Sequence, residues 1–292
     1  MRGNGVFGDG ETTMTIARTP LPDALEALRD AAIEPPAAVA GKGPEYSVVV
    51  PFFNESACAG ALLSEITEVM QRLAAPYEVI LVNDGSTDTT QAVLGRYAEQ
   101  HRECRVLQLV HNRGQAAALY AGLKVASAPI VITMDGDGQN DPHDIPALLG
   151  ELPAADMVVG IRVDRRDTWL RRTMSRVANR VRQRILRDGM DDSGCALKAF
   201  RLEVVAALLP IGTLYSFIPA MAVAAGFKVV QHPVAHRPRS AGESSYGLRR
   251  FLWRPILDTA GMWWFARRSF PVRARHAGMP PGDDWELTAP RE

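Results

Sequence analysis

Between residues 46 and 160, short apolar runs typical of β-strands alternate with longer segments of helical periodicity. The strand-like runs cover residues 46–51, 77–83, 105–110, 130–135 and 156–160. The helical segments cover residues 57–73, 89–101, 114–126 and 144–152. Parallel strands need a crossover connection, usually a helix, and such crossovers are right-handed. The alternation therefore predicts an α/β fold with a doubly wound, mostly parallel sheet.

Composition is that of an ordinary globular protein. The 292 residues are 47% hydrophobic and 23% charged, which is enough for a substantial core. Lys plus Arg and Asp plus Glu are balanced at 33 each, so net charge gives no reason to expect a nucleic-acid partner. Cys58, Cys104 and Cys195 lie too far apart for a disulfide framework or a zinc spacing, and they fit a reducing cytoplasm. We recognise no secretory signal and no apolar run near the ~20 residues of a membrane span.

Four parts are distinguished along the chain. Residues 1–44 are rich in Ala, Pro and Gly, and we expect a flexible extension. Residues 45–163 carry the alternating pattern, and residues 164–270 carry two basic, amphipathic segments. Residues 271–292 are polar, contain Pro and Gly, and are expected to be disordered.

Polar clusters follow three of the predicted strands. They are the sequences PFFNE at 51–55 and NDGSTD at 83–88, and the trio Asp135, Asp137 and Gln139. The carboxyl ends of parallel strands lie at one edge of the sheet, and ligands bind outside that edge. The sequence therefore predicts one site built from all three clusters.

The trio Asp135, Asp137 and Gln139 occupies alternate positions after an apolar run. On a strand, alternate side chains point the same way, so three oxygen ligands would converge where the strand opens into a loop. Mg²⁺ and Mn²⁺ prefer such ligands and are usually shared with a substrate phosphate. The pattern predicts a Mg²⁺ or Mn²⁺ site and a diphosphate substrate. The alternative is a simple polar turn, because Asp and Gly are favoured in turns.

Two later segments combine an apolar stripe with many arginines. Residues 165–187 carry apolar residues from Leu170 to Ile185 on one helical face, and residues 248–268 contain Trp253, Trp263 and Trp264 beside arginines. Basic amphipathic helices with interfacial tryptophan are typical of membrane-surface binding. The alternative is a solvated basic face whose apolar side packs on the domain.

Six segments, in order, resemble the family 2 glycosyltransferases of the GT-A fold, specifically polyprenyl-phosphate glycosyltransferases similar to dolichol-phosphate mannose synthase. They are VVVPFFNE, VNDGSTDTT, HNRGQAAALYAGLKVA, MDGDGQNDP, DDSGCALKAFR and HRPRSAGESSYG, within residues 45–268. The resemblance implies a nucleotide-sugar-binding half at 45–163, an acceptor-binding half at 164–270 with membrane-surface amphipathic helices, and a role for each site residue.

The implied roles follow the family's motifs. Pro51, Phe52 and Glu55 would line the nucleobase pocket, and Asp84 would bind the base or ribose. Asp135, Asp137 and Gln139 match the metal-binding triplet. Arg162, Arg239 and Ser244 would contact the donor diphosphate or the acceptor phosphate, with Asp137 and Arg239 as the catalytic pair. Ser245 stands where many relatives have Lys before the tyrosine, which leaves the phosphate clamp one cation short.

The implied reaction is inverting, metal-dependent transfer of a sugar from a UDP- or GDP-linked donor to a polyprenyl phosphate. It would occur peripherally on the cytoplasmic face of the membrane. Many bacterial relatives continue into transmembrane helices, and we expect the two amphipathic segments to anchor this chain instead. Alternatives are a transferase of the same fold with another cell-envelope acceptor and a non-catalytic membrane scaffold with a relic site. A processive synthase would carry Gln-x-x-Arg-Trp, and a nucleotidyltransferase would carry GxGTRL; neither is present.

Overall fold

The computed structural model describes residues 43–163, 183–186, 188–238, 259–261, 263–264, 272–274 and 285–287. The strands of the main sheet are β1 (Tyr46–Phe52), β2 (Tyr77–Asn83), β3 (Cys104–Gln108), β4 (Ile130–Thr133), β5 (Met157–Arg162), β6 (Lys198–Arg201) and β7 (Val229–Val234). The helices are α1 (Ser56–Arg72), α2 (Thr90–Gln100), α3 (Gln115–Val125), α4 (Ile145–Glu151) and α5 (Leu214–Ala224). Three 3₁₀ turns lie at Pro142–Asp144, Leu152–Ala154 and Leu202–Ala207.

The sheet has seven strands in the order β3-β2-β1-β4-β6-β5-β7. β6 runs antiparallel to both β4 and β5, and the remaining neighbours are parallel. The chain moves outward from β1 to β3 and then crosses back to β4, which is the doubly wound arrangement that the alternation predicts. The carboxyl ends of β1, β2 and β4 therefore share one edge, as predicted from the polar clusters.

Both faces of the sheet are covered by helices. Val48 and Val50 pack into the core beneath α1, α2 and α4, whereas Val49 packs into the core beneath α3 and α5. Strands buried on both faces need apolar side chains at most positions, which explains their nearly continuous apolar runs. In α3, a Cβ at Gly122 would lie 2.4 Å from Val49 Cγ1, so the absence of a side chain lets the helix pack directly on the sheet.

The predicted strands and helices of residues 46–160 are confirmed, with small differences at their ends. One difference matters for the site, because β4 ends at Thr133 rather than at residue 135. Asp135, Asp137 and Gln139 thus lie in a loop, and the strand-alternation argument for their common direction is wrong. The antiparallel strand β6 was not predicted at all. β6 has only four residues, Lys198–Arg201, which are too few to show the alternation of apolar and polar side chains that indicates a strand.

Little of the two amphipathic segments lies within the described residues. Residues 183–186, 259–261 and 263–264 are helical, while Trp253 and most of residues 165–187 fall outside. In the described part of the chain, no helix is both long and apolar enough to span a membrane. A two-stranded antiparallel ladder joins Val272–Ala274 to Trp285–Leu287 within the predicted tail. The predictions for residues 1–44 and 271–292 otherwise fall outside the described residues.

Candidate active site at the carboxyl edge of the sheet

The loop that follows β4 lies against the end of β1. A Cβ at Gly136 would lie 2.5 Å from Phe52 Cδ1 and 2.6 Å from the Pro51 carbonyl oxygen, so only glycine permits this approach. Cys58 at the start of α1 donates its thiol to the Gly136 carbonyl at 3.3 Å. The loop between β4 and the following 3₁₀ turn, residues 134–141, carries Asp135, Asp137 and Gln139 and is called the metal loop below. These contacts bring it beside Pro51 and Phe52, the residues predicted to line the nucleobase pocket.

Loops after β1 and β2 are joined by Asn54. Its backbone has a positive φ of 55°, a conformation that Asn tolerates better than most residues. The Asn54 side-chain oxygen accepts the Thr87 amide at 2.8 Å, and its backbone amide donates to Ser86 Oγ at 3.0 Å. The next residue, Glu55, is buried and donates its backbone amide to Thr90 Oγ1 at 2.9 Å. The first two polar clusters therefore form one connected wall.

Asp84 lies at the predicted edge with its side chain turned toward the backbone that precedes α3. The amides of Arg113 and Gly114 donate to its two carboxylate oxygens at 2.7 and 2.8 Å. Burial raises the pKa of Asp84 above its ordinary value, although these two hydrogen bonds act in the opposite direction. The observed role is to order the loop; the predicted contact with base or ribose remains a prediction.

Asp135 and Asp137 form a pair of interacting carboxylates. Burial and the negative charge of Asp137 raise the pKa of Asp135 to about 6, while Lys198, Gln115 and Arg162 oppose the rise. Gln115, at the start of α3, donates its side-chain amide to Asp135 Oδ1. The backbone amide of Gln139 donates to Asp137 Oδ1 at 3.0 Å. Carboxylate oxygens are preferred ligands of Mg²⁺ and Mn²⁺, so the interacting pair Asp135 and Asp137 fits a divalent cation, and Gln139 follows in the same loop.

β6 and the loop before it bring charged residues that sequence reasoning missed. Lys198 is 1% exposed, lies between Thr133 of β4 and Val159 of β5, and donates its ammonium to the Cys195 carbonyl. Burial lowers its pKa, while Asp135 and Asp192 are among the groups that favour its charged form. A single lysine inside the apolar run ALKAF was the available signal, because an isolated charge in a buried strand needs partners.

Arg162, at the end of β5, forms a two-pronged ion pair with Asp192. Its Nε and one terminal nitrogen donate to the two oxygens of Asp192, each at 2.7 Å. Both side chains are largely buried, with 17% and 8% of their surface exposed. The structure thus brings Arg162 to the predicted edge of the sheet and holds its guanidinium by a partner that the sequence did not identify.

A second acidic group lies on the α1 side of the metal loop. Within the described residues, Glu65, Asp141 and His143 place one potential ligand atom each within 4.8 Å of one another. However, Arg237 contacts Glu65 Oε2 at 2.6 Å and Asp141 Oδ1 at 2.8 Å. This guanidinium already supplies the positive charge of the group. His143 lies in the 3₁₀ turn Pro142–Asp144, and its Nδ1 contacts Asp141 Oδ1 at 2.9 Å.

Arg239 and Ser244 lie outside the described residues, and their roles stay predictions. The segment just before them contacts the metal loop: the Arg237 amide donates to the Gln139 carbonyl at 2.9 Å, and His236 forms a β-bridge with Asn140. Among the described residues of the two amphipathic segments, Ile185, Trp263 and Trp264 are 39%, 40% and 56% exposed.

Comparison with known sequences identifies close relatives. The family model described as Glycosyl transferase family 2 matches residues 47–209. An undecaprenyl-phosphate 4-deoxy-4-formamido-L-arabinose transferase from Serratia proteamaculans is 38% identical over 210 residues, which are 71% of this chain and 64% of that protein. A dodecaprenyl-phosphate galacturonate synthase from Rhizobium johnstonii is 37% identical over 229 residues, which are 76% of this chain and 68% of that protein. This chain thus spans about two thirds of the length of these curated relatives.

Solved structures share the fold at low sequence identity. Glucosyl-3-phosphoglycerate synthase from Mycobacterium tuberculosis, in complex with Mn²⁺, UDP-glucose and phosphoglyceric acid, has a TM-score of 0.58 and 17% identity, covering 85% of this chain and 90% of that chain. Mannosyltransferase PcManGT from Pyrobaculum calidifontis, in complex with GDP-Man and Mn²⁺, has a TM-score of 0.55 and 21% identity, covering 85% and 72%. These likenesses establish the fold, a GT-A-like sheet flanked by helices.

Proposed function

Because this chain belongs to glycosyltransferase family 2, we propose that it transfers a sugar, with inversion, from a nucleotide-diphosphate sugar to a polyprenyl phosphate. The observation that carries the proposal is the meeting of Pro51, Phe52, Asp135 and Asp137 at one edge of the sheet, inside the matched region. The relatives from Serratia and Rhizobium are named for undecaprenyl and dodecaprenyl phosphate, which supports the same class of acceptor here.

Asp135, Asp137 and Gln139 are proposed to hold Mg²⁺ or Mn²⁺, which when bound would neutralise charge on the diphosphate leaving group. The two structures of the same fold cited above contain Mn²⁺ together with nucleotide sugars. In this chain, the support is the environment of Asp135, whose pKa is raised to about 6 by burial and by the negative charge of Asp137.

Arg162 and Lys198 bring positive charge close enough to Asp135 to favour its ionised form. The ion pair with Asp192 fixes the guanidinium of Arg162 in one orientation. Preorganised charges of this kind stabilise a developing anion without reorganising during the reaction. A phosphate monoester has a second pKa near ~6, so the acceptor is largely ionised at neutral pH. We therefore assign no general base, and the protein contributes mainly positioning and electrostatic stabilisation.

We propose that the reaction takes place peripherally, at the cytoplasmic face of the membrane. A polyprenyl phosphate keeps its phosphate at the membrane surface and its chain in the bilayer, so the enzyme must reach that surface. The exposed Trp263 and Trp264, beside Arg267 and Arg268, support such an approach, because tryptophan favours the headgroup region.

Direct assay of lipid products tests the proposal. The protein is incubated with Mn²⁺, polyprenyl phosphate and a panel of UDP- and GDP-linked sugars that includes galacturonate and 4-formamido-arabinose, and the lipid fraction is analysed by mass spectrometry. We expect one glycosyl lipid phosphate, absent with excess EDTA and with Asp137→Ala. Glu99→Ala, which changes an exposed carboxylate on α2, serves as the matched control and should retain activity. Full turnover in EDTA, or with Asp137→Ala, would refute the metal site.

A further inference from the structure

Arg237 joins three separate parts of the chain near the candidate site. It follows β7, and its guanidinium contacts Glu65 of α1 at 2.6 Å through one terminal nitrogen. The other terminal nitrogen contacts Asp141 Oδ1 at 2.8 Å, and Nε donates to Asp141 Oδ2 at 3.2 Å. All three side chains are about one-third exposed or less, at 35%, 32% and 21% for Arg237, Glu65 and Asp141. One arginine therefore holds two carboxylates that would otherwise repel each other.

Backbone hydrogen bonds attach the same segment to the metal loop. The Arg237 amide donates to the Gln139 carbonyl at 2.9 Å, and the Ala235 amide donates to Asp144 Oδ2 at 2.8 Å. His236, between them, forms a β-bridge with Asn140. Residues 235–237 thus lie along residues 139–144 for their whole length, with the Arg237 side chain closing the contact on the α1 side.

This contact links two predicted parts of the reaction site. Gln139, whose carbonyl accepts the Arg237 amide, is a proposed metal ligand, and Arg239 and Ser244 follow Arg237 closely in sequence. Asp141 also accepts the His143 amide at 3.0 Å, so its carboxylate orders the loop and receives Arg237 at the same time.

We propose that Arg237 is a positioning residue for sugar transfer, which sets the metal loop and the segment after β7 in their relative places through Glu65 and Asp141. The proposal rests on the proposed function. The compact ammonium of a lysine could not replace it fully, because only the planar guanidinium presents donors in a fixed geometry to α1 and to the metal loop at once. The guanidinium of Arg237 is engaged by Glu65 and Asp141, whereas Arg239 is proposed to contact phosphate directly.

The test compares Arg237→Met with Arg201→Met. Arg201 also forms an ion pair, with Asp156 at 3.4 Å, but it lies at the far end of β6, away from the site. In Arg237→Met we expect amide exchange of residues 235–237 to accelerate by about tenfold or more. We expect Mn²⁺ affinity, measured without substrate, to fall about tenfold, because the support of Gln139 is lost. In the transfer assay, kcat should fall about 10- to 100-fold. Arg201→Met should leave all three unchanged.

Two further variants keep the test informative. Arg237→Lys retains the charge without the two-sided contact and should recover only part of kcat. If Arg237→Met does not fold, Glu65→Gln removes one ion pair, leaves Asp141 in place, and should show the same exchange change on a smaller scale. Exchange and Mn²⁺ affinity need no turnover, so they test Arg237 even if the wild type transfers no sugar. Unchanged exchange, or faster exchange with unchanged Mn²⁺ affinity and kcat, would overturn the proposal.

Discussion

Asp135 shows how a site residue can oppose stability at neutral pH. Its pKa rises from 3.8 to about 6, because burial and the charge of Asp137 disfavour the carboxylate. The folded protein therefore holds this proton more tightly than the unfolded chain does. Stability from this group is present below pH 4 and is lost as pH rises through about 6. A bound cation would reverse the penalty by favouring the charged form.

Substituting Asp135 by Asn should therefore stabilise the metal-free protein. In EDTA at pH 8, we expect Asp135→Asn to raise the free energy of unfolding by about 1–3 kcal/mol, with the gain shrinking toward pH 4. The same variant should lose the increase in Tm that Mn²⁺ gives the wild type, and in the wild type that increase should diminish below pH 6. Thermal unfolding of both proteins at several pH values, with EDTA or Mn²⁺, measures all three effects. An Asn variant that still gains Tm from Mn²⁺ would contradict the assignment.

Among the strands, β6 decides the electrostatics of the site. It inserts antiparallel between β4 and β5, so Lys198 is buried between Thr133 of β4 and Val159 of β5, near the carboxyl edge of the sheet. The loop before it supplies Asp192, the partner of Arg162. A lysine enclosed in this way needs both a hydrogen-bond acceptor and nearby negative charge, and the Cys195 carbonyl and Asp135 meet those needs.

The close approach of the metal loop to β1 can be tested with a single methyl group. In Gly136→Ala, the added Cβ would lie 2.6 Å from the Pro51 carbonyl oxygen, so the loop must move away from β1. We expect at least about a tenfold loss of kcat, because small displacements of a site are costly. Gly150→Ala is the matched control, since its Cβ meets nothing within 4 Å and it lies in α4. That variant should keep full activity and gain about 0.5–1 kcal/mol of stability. Equal activity of the two variants would show that the contact is dispensable.

For the whole molecule, the proposed anchor is a basic and apolar surface. Arginines near an anionic membrane contribute about 1 kcal/mol each and are screened by salt, whereas inserted tryptophan is not. Binding to anionic vesicles should therefore weaken with rising salt without vanishing. Changing Trp263 and Trp264 to Ser should remove the salt-resistant part, as measured by vesicle sedimentation. Val110→Ser, which changes an 83% exposed side chain outside both segments, should bind like the wild type. Wild-type binding by the double variant at high salt would locate the anchor elsewhere.

From the sequence alone, the order of strands and helices up to β5 and the shared edge of three polar clusters could be predicted. Both depend on local patterns. A strand buried on two faces is mostly apolar, and parallel strands necessarily end on the same side. The sequence therefore placed the site residues at the correct, carboxyl edge before any pairing of the strands was known; these residues are Pro51, Phe52, Asp84, Asp135 and Asp137.

Tertiary structure alone decided which charges meet at that edge. Arg162 and Asp192 are 30 residues apart, and Arg237 and Glu65 are 172 apart, so no local period connects either pair. Whether Lys198 is exposed to solvent or buried near Asp135 and Asp192 depended on where a four-residue strand inserts. Sequence determined the elements because side-chain burial follows a short repeat along the chain. The partners of buried charges depend on how distant segments pack, and that is settled only when the sheet and its loops come together.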